Sequence, residues 1–315
     1  MASKIEQPIM QLPVIEFNNG NLKEGSISWV RTSHLVRDAL ETYGSFIAIY
    51  KRIPLELYEK IINISKELFE LPVEIKEKNV SDGLGFGYGG KFATMPLVEY
   101  LGISNAATVE GTKDFTNLMW PAGNLDFFET TLSYSRLQSE LNQVVIKMVL
   151  QSYGIEKYYE TLQKSCFYLM RFIKYRNPKI NETNTGLRAH VDKTFLSIIA
   201  SNQVKGLEIE NKNGEWMSFQ PSPFTFLVLC GEIFTAWSNG RVYSPLHRVV
   251  MGEGDEEKYS FALFSFMRET LKIPEELIDQ QNPLKYKPFI NNFEFLDYCQ
   301  QKNIARSAIK DFYAI

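Results

Sequence analysis

From about residue 165 to 268 the chain is a succession of short runs rich in Phe, Ile, Val and Tyr: FYLMRFIKY, FLSIIAS, GLEIE, EWMSFQP, FTFLVLC, RVYSPLHRVVM and KYSFALFSFM. Such side chains suit a pleated, half-buried or buried surface, so each run reads as a strand. Turn signals separate them: Lys-Asn-Gly at 212–214, Pro-Ser-Pro at 221–223 and Ser-Asn-Gly at 238–240. The intervals leave no room for the crossover helices that parallel pairing needs. The pattern therefore predicts a compact antiparallel barrel or sandwich.

The first half has a different texture. Val30, Leu35, Val36, Ala39 and Leu40 recur at helical spacing before Gly44, which predicts a helix over 28–43. Leu57, Ile61, Ile64, Leu68 and Leu71 do the same between Pro54 and Pro72. A third stripe, Tyr134, Leu137, Leu141, Val144, Val145 and Met148, predicts a long helix from about 128 to 153, stopped by Gly154. Helical character returns after about 275. No linker, repeat or low-complexity tract divides the chain. The expectation is an α+β fold forming one unit over 1–315, with a mainly helical region at 1–165, a β core at 166–275 and a helical cover at 276–315.

Lys and Arg number 34 against 37 acids, for a formal charge of −3, so no global field favours nucleic acid or an anionic membrane. The longest apolar runs, FTFLVLC and VVIKMVL, fall far short of a bilayer span. A soluble, cytoplasmic protein with a small-molecule ligand is expected, with no nucleic-acid or membrane partner. Cys166, Cys230 and Cys299 are odd in number and widely spaced, unlike a disulfide framework or a zinc site. The run GLGFGYGGKF nearly spells a phosphate-binding loop, but Phe92 stands where Ser or Thr must meet magnesium and no helical pattern follows. It reads as a loop.

Histidine is scarce, so its placement carries weight: only His34, His190 and His247 are present. In an extended His190-Val191-Asp192 segment the imidazole and the carboxylate point to one face. His247 follows on a run launched by an Asn-Gly turn suited to a tight hairpin, and an antiparallel partner brings it alongside. Two imidazoles and one carboxylate on one side of a metal leave positions open for a chelating cosubstrate and dioxygen, the facial arrangement of non-haem Fe(II) oxygenases. His-x-Asp alone is a weak signal, and a lone buried histidine is commonly a satisfied core residue; the spacing and the strand context favour the metal.

The segments around H190-V-D192, WSNGRVYSPLHRV and KYSFALFSF resemble the plant Fe(II)/2-oxoglutarate-dependent dioxygenases of specialised metabolism. LPVIEF, YGSF, GLRAHVDKT and FTNLMWPAGN are similar to the branch that includes deoxypodophyllotoxin synthase and the glucosinolate side-chain dioxygenases. The resemblance runs from about Leu12 to the tail. It implies a double-stranded β-helix, or jelly-roll, core under a helical N-terminal layer and a C-terminal helix, with His190, Asp192 and His247 as catalytic iron ligands. It also implies 2-oxoglutarate as cosubstrate, dioxygen as oxidant, ascorbate as a reductant and a monomeric enzyme.

The family's Arg-x-Ser motif and core tyrosine correspond here to Lys258, Ser260 and Tyr175, the expected contacts of the 2-oxoglutarate carboxylate. Lysine for arginine replaces a two-pronged fork with a point charge, and Ile173 stands where relatives carry asparagine. For Lys258 the alternative is a solvated residue ending the acidic stretch GEGDEE. Substrate contacts are expected from Arg171, Phe264 and Phe266, and more weakly from Phe115, Met119 and Trp120, for which ordinary core packing fits at least equally well. Aromatic walls suit a flat, largely apolar metabolite. Hydroxylation, desaturation, ring closure and O-demethylation all fit. The rival is a jelly-roll binding or non-oxidative protein that has lost 2-oxoglutarate turnover.

Overall fold

A computed structural model describes residues 11–17, 23–81, 85–90, 92–252, 254, 256–304 and 306–315. Gly83, Leu84 and Lys91 of the glycine-rich run lie outside the described residues. Nine α-helices are assigned among the described residues: α1 (Ile27–Thr42), α2 (Leu55–Glu70), α3 (Val73–Lys76), α4 (Val109–Met119), α5 (Leu125–Ser152), α6 (Tyr159–Ser165), α7 (Glu232–Trp237), α8 (Asn292–Gln301) and α9 (Ile309–Tyr313). The strands are β1 (Val14–Glu16), β2 (Ser45–Ile49), β3 (Tyr88–Gly89), β4 (Val98–Ser104), β5 (Cys166–Tyr175), β6 (Thr185–His190) and β7 (Leu196–Ser201). They continue as β8 (Leu207–Glu210), β9 (Trp216–Ser218), β10 (Thr225–Cys230), β11 (His247–Val250), β12 (Lys258–Met267), β13 (Leu271–Lys272) and β14 (Phe289–Ile290).

The expected helices form where their capping chemistry allows. Ser26 caps α1 by accepting the Trp29 N–H at 3.1 Å, and Gly44 ends it at φ +67°, where a side chain would be strained. Asn124 caps α5 by accepting from Phe127 N at 3.0 Å. The stripe of α5 buries Tyr134, Leu141, Val145 and Met148 and leaves Leu137 and Val144 half-buried at its margin.

The strands build a jelly roll of two sheets. The major sheet has eight strands in the order β1-β2-β10-β7-β12-β5-β4-β3, and the minor sheet runs β6-β11-β8-β9. A short β13–β14 pair stands apart. Side-chain alternation splits the major sheet into two chemistries. Met170, Phe172, Ile198, Ala200, Phe226, Val228, Phe261 and Leu263 face the helical layer. Ile173, Tyr175, Ile199, Leu227, Leu229, Ala262, Phe264 and Phe266 face the minor sheet and meet Leu207, Ile209, Met217 and Val249 across the sandwich.

Three features depart from the sequence reading. Strands β1 to β4 come from the helix-rich half and join the major sheet, although that half shows only helical periodicity clearly. The β1–β2 pair is parallel, the single exception among the described strand pairs. Finally, Ser238-Asn239-Gly240 is not a hairpin turn. It closes the short helix α7, with Asn239 at φ 56° and Gly240 at φ 78°, and the strand begins only at His247. The asparagine side chain serves as an anchor there: Nδ2 donates to Leu277 O and Pro283 O, both at 3.2 Å, while Oδ1 accepts from Lys285 N at 2.9 Å.

Where α7 begins, Gly231 packs directly on the turn that follows β6. A Cβ built on it lies 2.0 Å from Thr194 O and 2.4 Å from Thr194 Oγ1, inside any real contact. Gly231→Ala is therefore expected to destabilise the protein by about 1–3 kcal/mol, because a backbone carbonyl must move to admit the methyl. Thermal unfolding checks this, and an unchanged melting temperature would show that the turn is packed otherwise.

Candidate active site

The minor sheet sets the geometry of the candidate centre. Strands β6 and β11 pair antiparallel with His190 opposite His247, which brings the two imidazoles to a ring-centroid separation of 4.2 Å. Asp192 sits just beyond the end of β6 and folds back between them. Its Oδ1 lies 3.6 Å from His190 Nε2 and 3.5 Å from His247 Nε2. One ligand atom from each of the three residues falls within 4.8 Å of the others. His34 is exposed on α1 and takes no part.

Hydrogen bonds on the far sides of the rings orient the donors. His190 Nδ1 lies 2.9 Å from Arg188 O and His247 Nδ1 lies 3.3 Å from Pro245 O. A carbonyl only accepts, so each Nδ1 carries a proton and each Nε2 is turned toward the common point. Burial, together with the facing imidazole of His247, pushes the His190 pKa down to about 4 and keeps that ring neutral. For Asp192, burial alone would favour the acid. The Ser197 hydroxyl donating at 2.6 Å and the Arg171 guanidinium are among the groups that outweigh it and hold the carboxyl below its ordinary range. Two imidazole nitrogens and one carboxylate are the donor set of a divalent transition metal, and the residues fit one.

On the major sheet, β5 and β7 turn Arg171, Tyr175 and Ser197 toward Asp192, and β12 carries Lys258 and Ser260 on the same face of the sheet. Lys258 is opposite Tyr175, and Ser260 is opposite Ile173 on one side and Ser201 on the other. Lys258, only 1 % exposed, is not the solvated residue that its acidic neighbours suggest. Its ammonium donates to Val204 O at 2.7 Å and Ser201 Oγ at 2.9 Å, and no carboxylate pairs with it among the described residues. Two of its three donors are thus used and one remains. Burial lowers its pKa to about 7. The same burial pushes the Tyr175 phenol upward, so it stays protonated.

Arg171 shares the face of Tyr175 on β5. Its Nε donates to Gly85 O at 3.0 Å, and the guanidinium lies over the rings of Phe264, 4.8 Å away, and Tyr100, 5.0 Å away. Burial lowers its pKa without discharging it. Phe266 extends the wall, with Phe86 at 5.1 Å, Phe167 at 6.3 Å and Phe293 at 6.4 Å between ring centroids. Lys258, Ser260, Phe264 and Phe266 all lie on the face turned to the minor sheet, in keeping with their even spacing on β12.

Phe115 and Met119 are not at this wall. Both are buried with the helix-facing core, where Phe115 stacks on Phe127 at 5.8 Å, and Phe127 in turn packs on Phe172 behind β5. Trp120 packs there too, 4.6 Å from Phe127. Helical periodicity marks such residues as buried but does not tell which face of a sheet they cover. The sequence reading also passed over Ser197, Tyr100, Phe86 and Phe293. Ser197 had a usable signal, since it stands two residues from Ile199 on an apolar run. Phe293, 36 % exposed on α8, had none.

Comparison with known proteins agrees with this geometry. The 2OG-Fe(II) oxygenase superfamily model matches residues 164–266, and the model for the N-terminal region of non-haem dioxygenases in morphine synthesis matches 12–118. The chain is 40% identical over 295 residues to the Arabidopsis thaliana protein named probable 2-oxoglutarate-dependent dioxygenase AOP1, covering 91% of this chain and 95% of the relative. Among solved structures it is similar to the Arabidopsis thaliana dioxygenase for auxin oxidation 1 in complex with 2-oxoglutarate. There the TM-score is 0.77 at 26% identity, over 87% of this chain and 100% of that one. The rice dioxygenase for auxin oxidation shares the fold, with a TM-score of 0.81 at 23% identity, over 96% of this chain and 100% of that one.

A buried ammonium whose folded pKa lies near 7, below its unfolded value of about 10.4, makes stability depend on pH in a definite direction. Between those values the unfolded chain holds the extra proton, so stability rises as pH increases. Without metal or cosubstrate, Lys258→Met is expected to stabilise the protein more at pH 6 than at pH 9. The difference is on the order of 2–3 kcal/mol. Chemical denaturation at the two pH values measures it, and an equal effect at both would mean that the ammonium reaches water.

Proposed function

The chain belongs to the 2-oxoglutarate-dependent Fe(II) dioxygenases, and from that premise we propose that His190, Asp192 and His247 hold the iron while Lys258, Ser260 and Tyr175 receive 2-oxoglutarate. The observation that carries this reading is the pairing of two features on facing sheets. Three ligand atoms converge within 4.8 Å at the minor sheet, and a buried ammonium without an acid partner among the described residues stands on the major sheet that faces it. Bound Fe(II) supplies the dioxygen and redox chemistry that couples decarboxylation of 2-oxoglutarate to succinate with oxidation of a substrate carbon.

The protein's own contribution is to bind, orient and exclude. Lys258 offers its remaining N–H to a carboxylate, and the Tyr175 phenol faces the same space as a neutral donor. Arg171 fixes one end of the substrate, a carboxylate or a phenol, while the rings of Phe264 and Phe266 keep water out and present the flat body. We infer a small, largely apolar plant specialised metabolite as substrate, oxidised by hydroxylation, desaturation, ring closure or O-demethylation. In this reading 1–315 acts as one monomeric catalytic unit in the cytoplasm, with 166–275 housing the site and 276–315 covering it. No helix among the described residues is long and apolar enough to cross a membrane.

Succinate release with Fe(II), 2-oxoglutarate and a metabolite panel tests the reading and separates it from a binding protein without turnover. Mass spectrometry of the products then distinguishes oxygen gain, hydrogen loss and methylene loss. His190→Ala, Asp192→Ala and His247→Ala are each expected to abolish Fe(II)-dependent succinate release in a folded protein, whereas His34→Ala retains it. Near-full activity in any of the three would remove that residue from the metal site.

For the cosubstrate, Lys258→Ala is expected to raise the Michaelis constant for 2-oxoglutarate about tenfold or more, since it deletes a charge-assisted hydrogen bond. Lys258→Arg is tolerated if the pocket admits the larger fork. The wild-type constant should also climb as pH rises through about 7, because binding the dianion requires the protonated amine. A constant indifferent to both the alanine substitution and pH would put the carboxylate anchor elsewhere.

A further inference from the structure

Directly behind the candidate metal site lies a second ionic cluster that the chemistry above does not use. Glu232, the first residue of α7, is 1 % exposed, and both of its carboxylate oxygens are engaged. Oε2 accepts from Lys193 Nζ at 2.5 Å. Oε1 accepts from Ser307 Oγ at 2.5 Å, Ala308 N at 3.0 Å and Ile309 N at 3.2 Å, all from the C-terminal segment. Lys193 also donates to Arg306 O at 2.7 Å.

Lys193 immediately follows Asp192, and the backbone of this turn is held from the same direction. Glu232 N donates to Asp192 O at 2.9 Å, and Asn292 Nδ2 from α8 donates to Lys193 O at 2.9 Å. The Lys193 side chain is 12% exposed. A cation so placed needs a counter-charge, and the neighbouring carboxylate in the chain is Asp192 itself. An ammonium paired with Asp192 competes with a metal ion for the same oxygens.

We propose that Glu232 is a positioning residue for the metal site: it holds Lys193 and the 306–309 segment together, and so keeps the Lys193 ammonium off Asp192. This rests on the reading of His190, Asp192 and His247 as metal ligands. The clamp has two separable consequences. One is electrostatic, the neutralisation of Lys193, and the other is mechanical, the docking of the tail.

Mn(II), which is stable to oxidation, serves as the probe in equilibrium titrations of the full chain, alongside trypsin cleavage after Lys302 and Arg306. Glu232→Gln is expected to weaken Mn(II) binding about tenfold, the scale of losing an outer partner of a metal ligand, and to open the tail to trypsin. Adding Lys193→Gln to that variant should recover Mn(II) affinity to within about threefold of wild type while leaving the tail cleavable. Glu232→Asp keeps the counter-charge and should bind Mn(II) within about threefold of wild type, which preserves the test if the glutamine variant does not fold. A double variant as weak as Glu232→Gln, or a glutamine variant that binds Mn(II) normally, overturns the proposal. A tenfold loss in Glu232→Asp does the same. Undiminished Mn(II) binding in His190→Ala would instead remove the metal-site reading beneath it.

Discussion

The middle strands of the major sheet are covered on both faces, by helices on one side and by the minor sheet on the other, and this two-sided burial governs what the site can be. A polar group on such a strand has no water to retreat to, so each must find a partner within the protein or in a ligand. Ser197 gives its hydrogen to Asp192, and Ser201 accepts from Lys258. On the helical face, Gln138 of α5 reaches the carbonyls of Ile198 and Phe261, and Asn142 reaches the Ser265 hydroxyl. The chemistry of the site is therefore written on alternate residues of β5, β7 and β12, while their neighbours build the core against α5.

That constraint gives a buried lysine a different meaning from a buried arginine. A guanidinium in this position stays charged and engages a carboxylate with two parallel bonds. An ammonium under the same desolvation falls to a pKa near neutrality and regains its charge fully only when an anion arrives. Arg171, on the same face, shows the contrast directly: it keeps its charge while resting on the faces of Tyr100 and Phe264, where ring quadrupoles replace part of the lost hydration. The two cations on this face thus differ in kind, one responding to pH near neutrality and the other keeping its charge.

Much of this was legible in the sequence, for physical reasons that can be named. The runs after residue 165 announced strands because aromatic and β-branched residues there are dense and the turns between them short. His190, Asp192 and His247 stood out because histidine is rare and because a period of two brings His190 and Asp192 to one face. What failed was whatever depends on long-range packing. SFIAI and VEYLGIS are short, and as β2 and β4 they gain their place only by pairing with β10 and β5. The Asn-Gly step at 239–240 carries the backbone chemistry of a hairpin, but here it ends α7 because the asparagine side chain is claimed by the C-terminal segment. Phe115 and Met119 were legible as buried, yet nothing local separates the helical side of a sheet from the cavity side.

The same logic separates the rigid turn that carries Asp192 from an aromatic wall held by packing alone. The turn after β6 is over-determined: Glu232 N binds Asp192 O, Ile233 N binds Thr194 O and Gly231 N binds Phe195 O, with glycine required by the 2.0 Å approach to Thr194. A substitution within that lattice disturbs the placement of the Asp192 carboxylate. The aromatic wall, by contrast, is assembled from separate pieces: Phe86 from a loop, Phe264 and Phe266 from β12, and Phe293 from α8. A phenylalanine ring carries no N–H or O–H to be fixed by a hydrogen bond, so the size and shape of these residues can change with only packing at stake. Phe293 is the freest of them, being half-exposed on a helix anchored through Asn292 to both Lys193 O and Met267 N. The residue next to that anchor can therefore change while the anchor itself keeps α8 in register with the turn that carries Asp192.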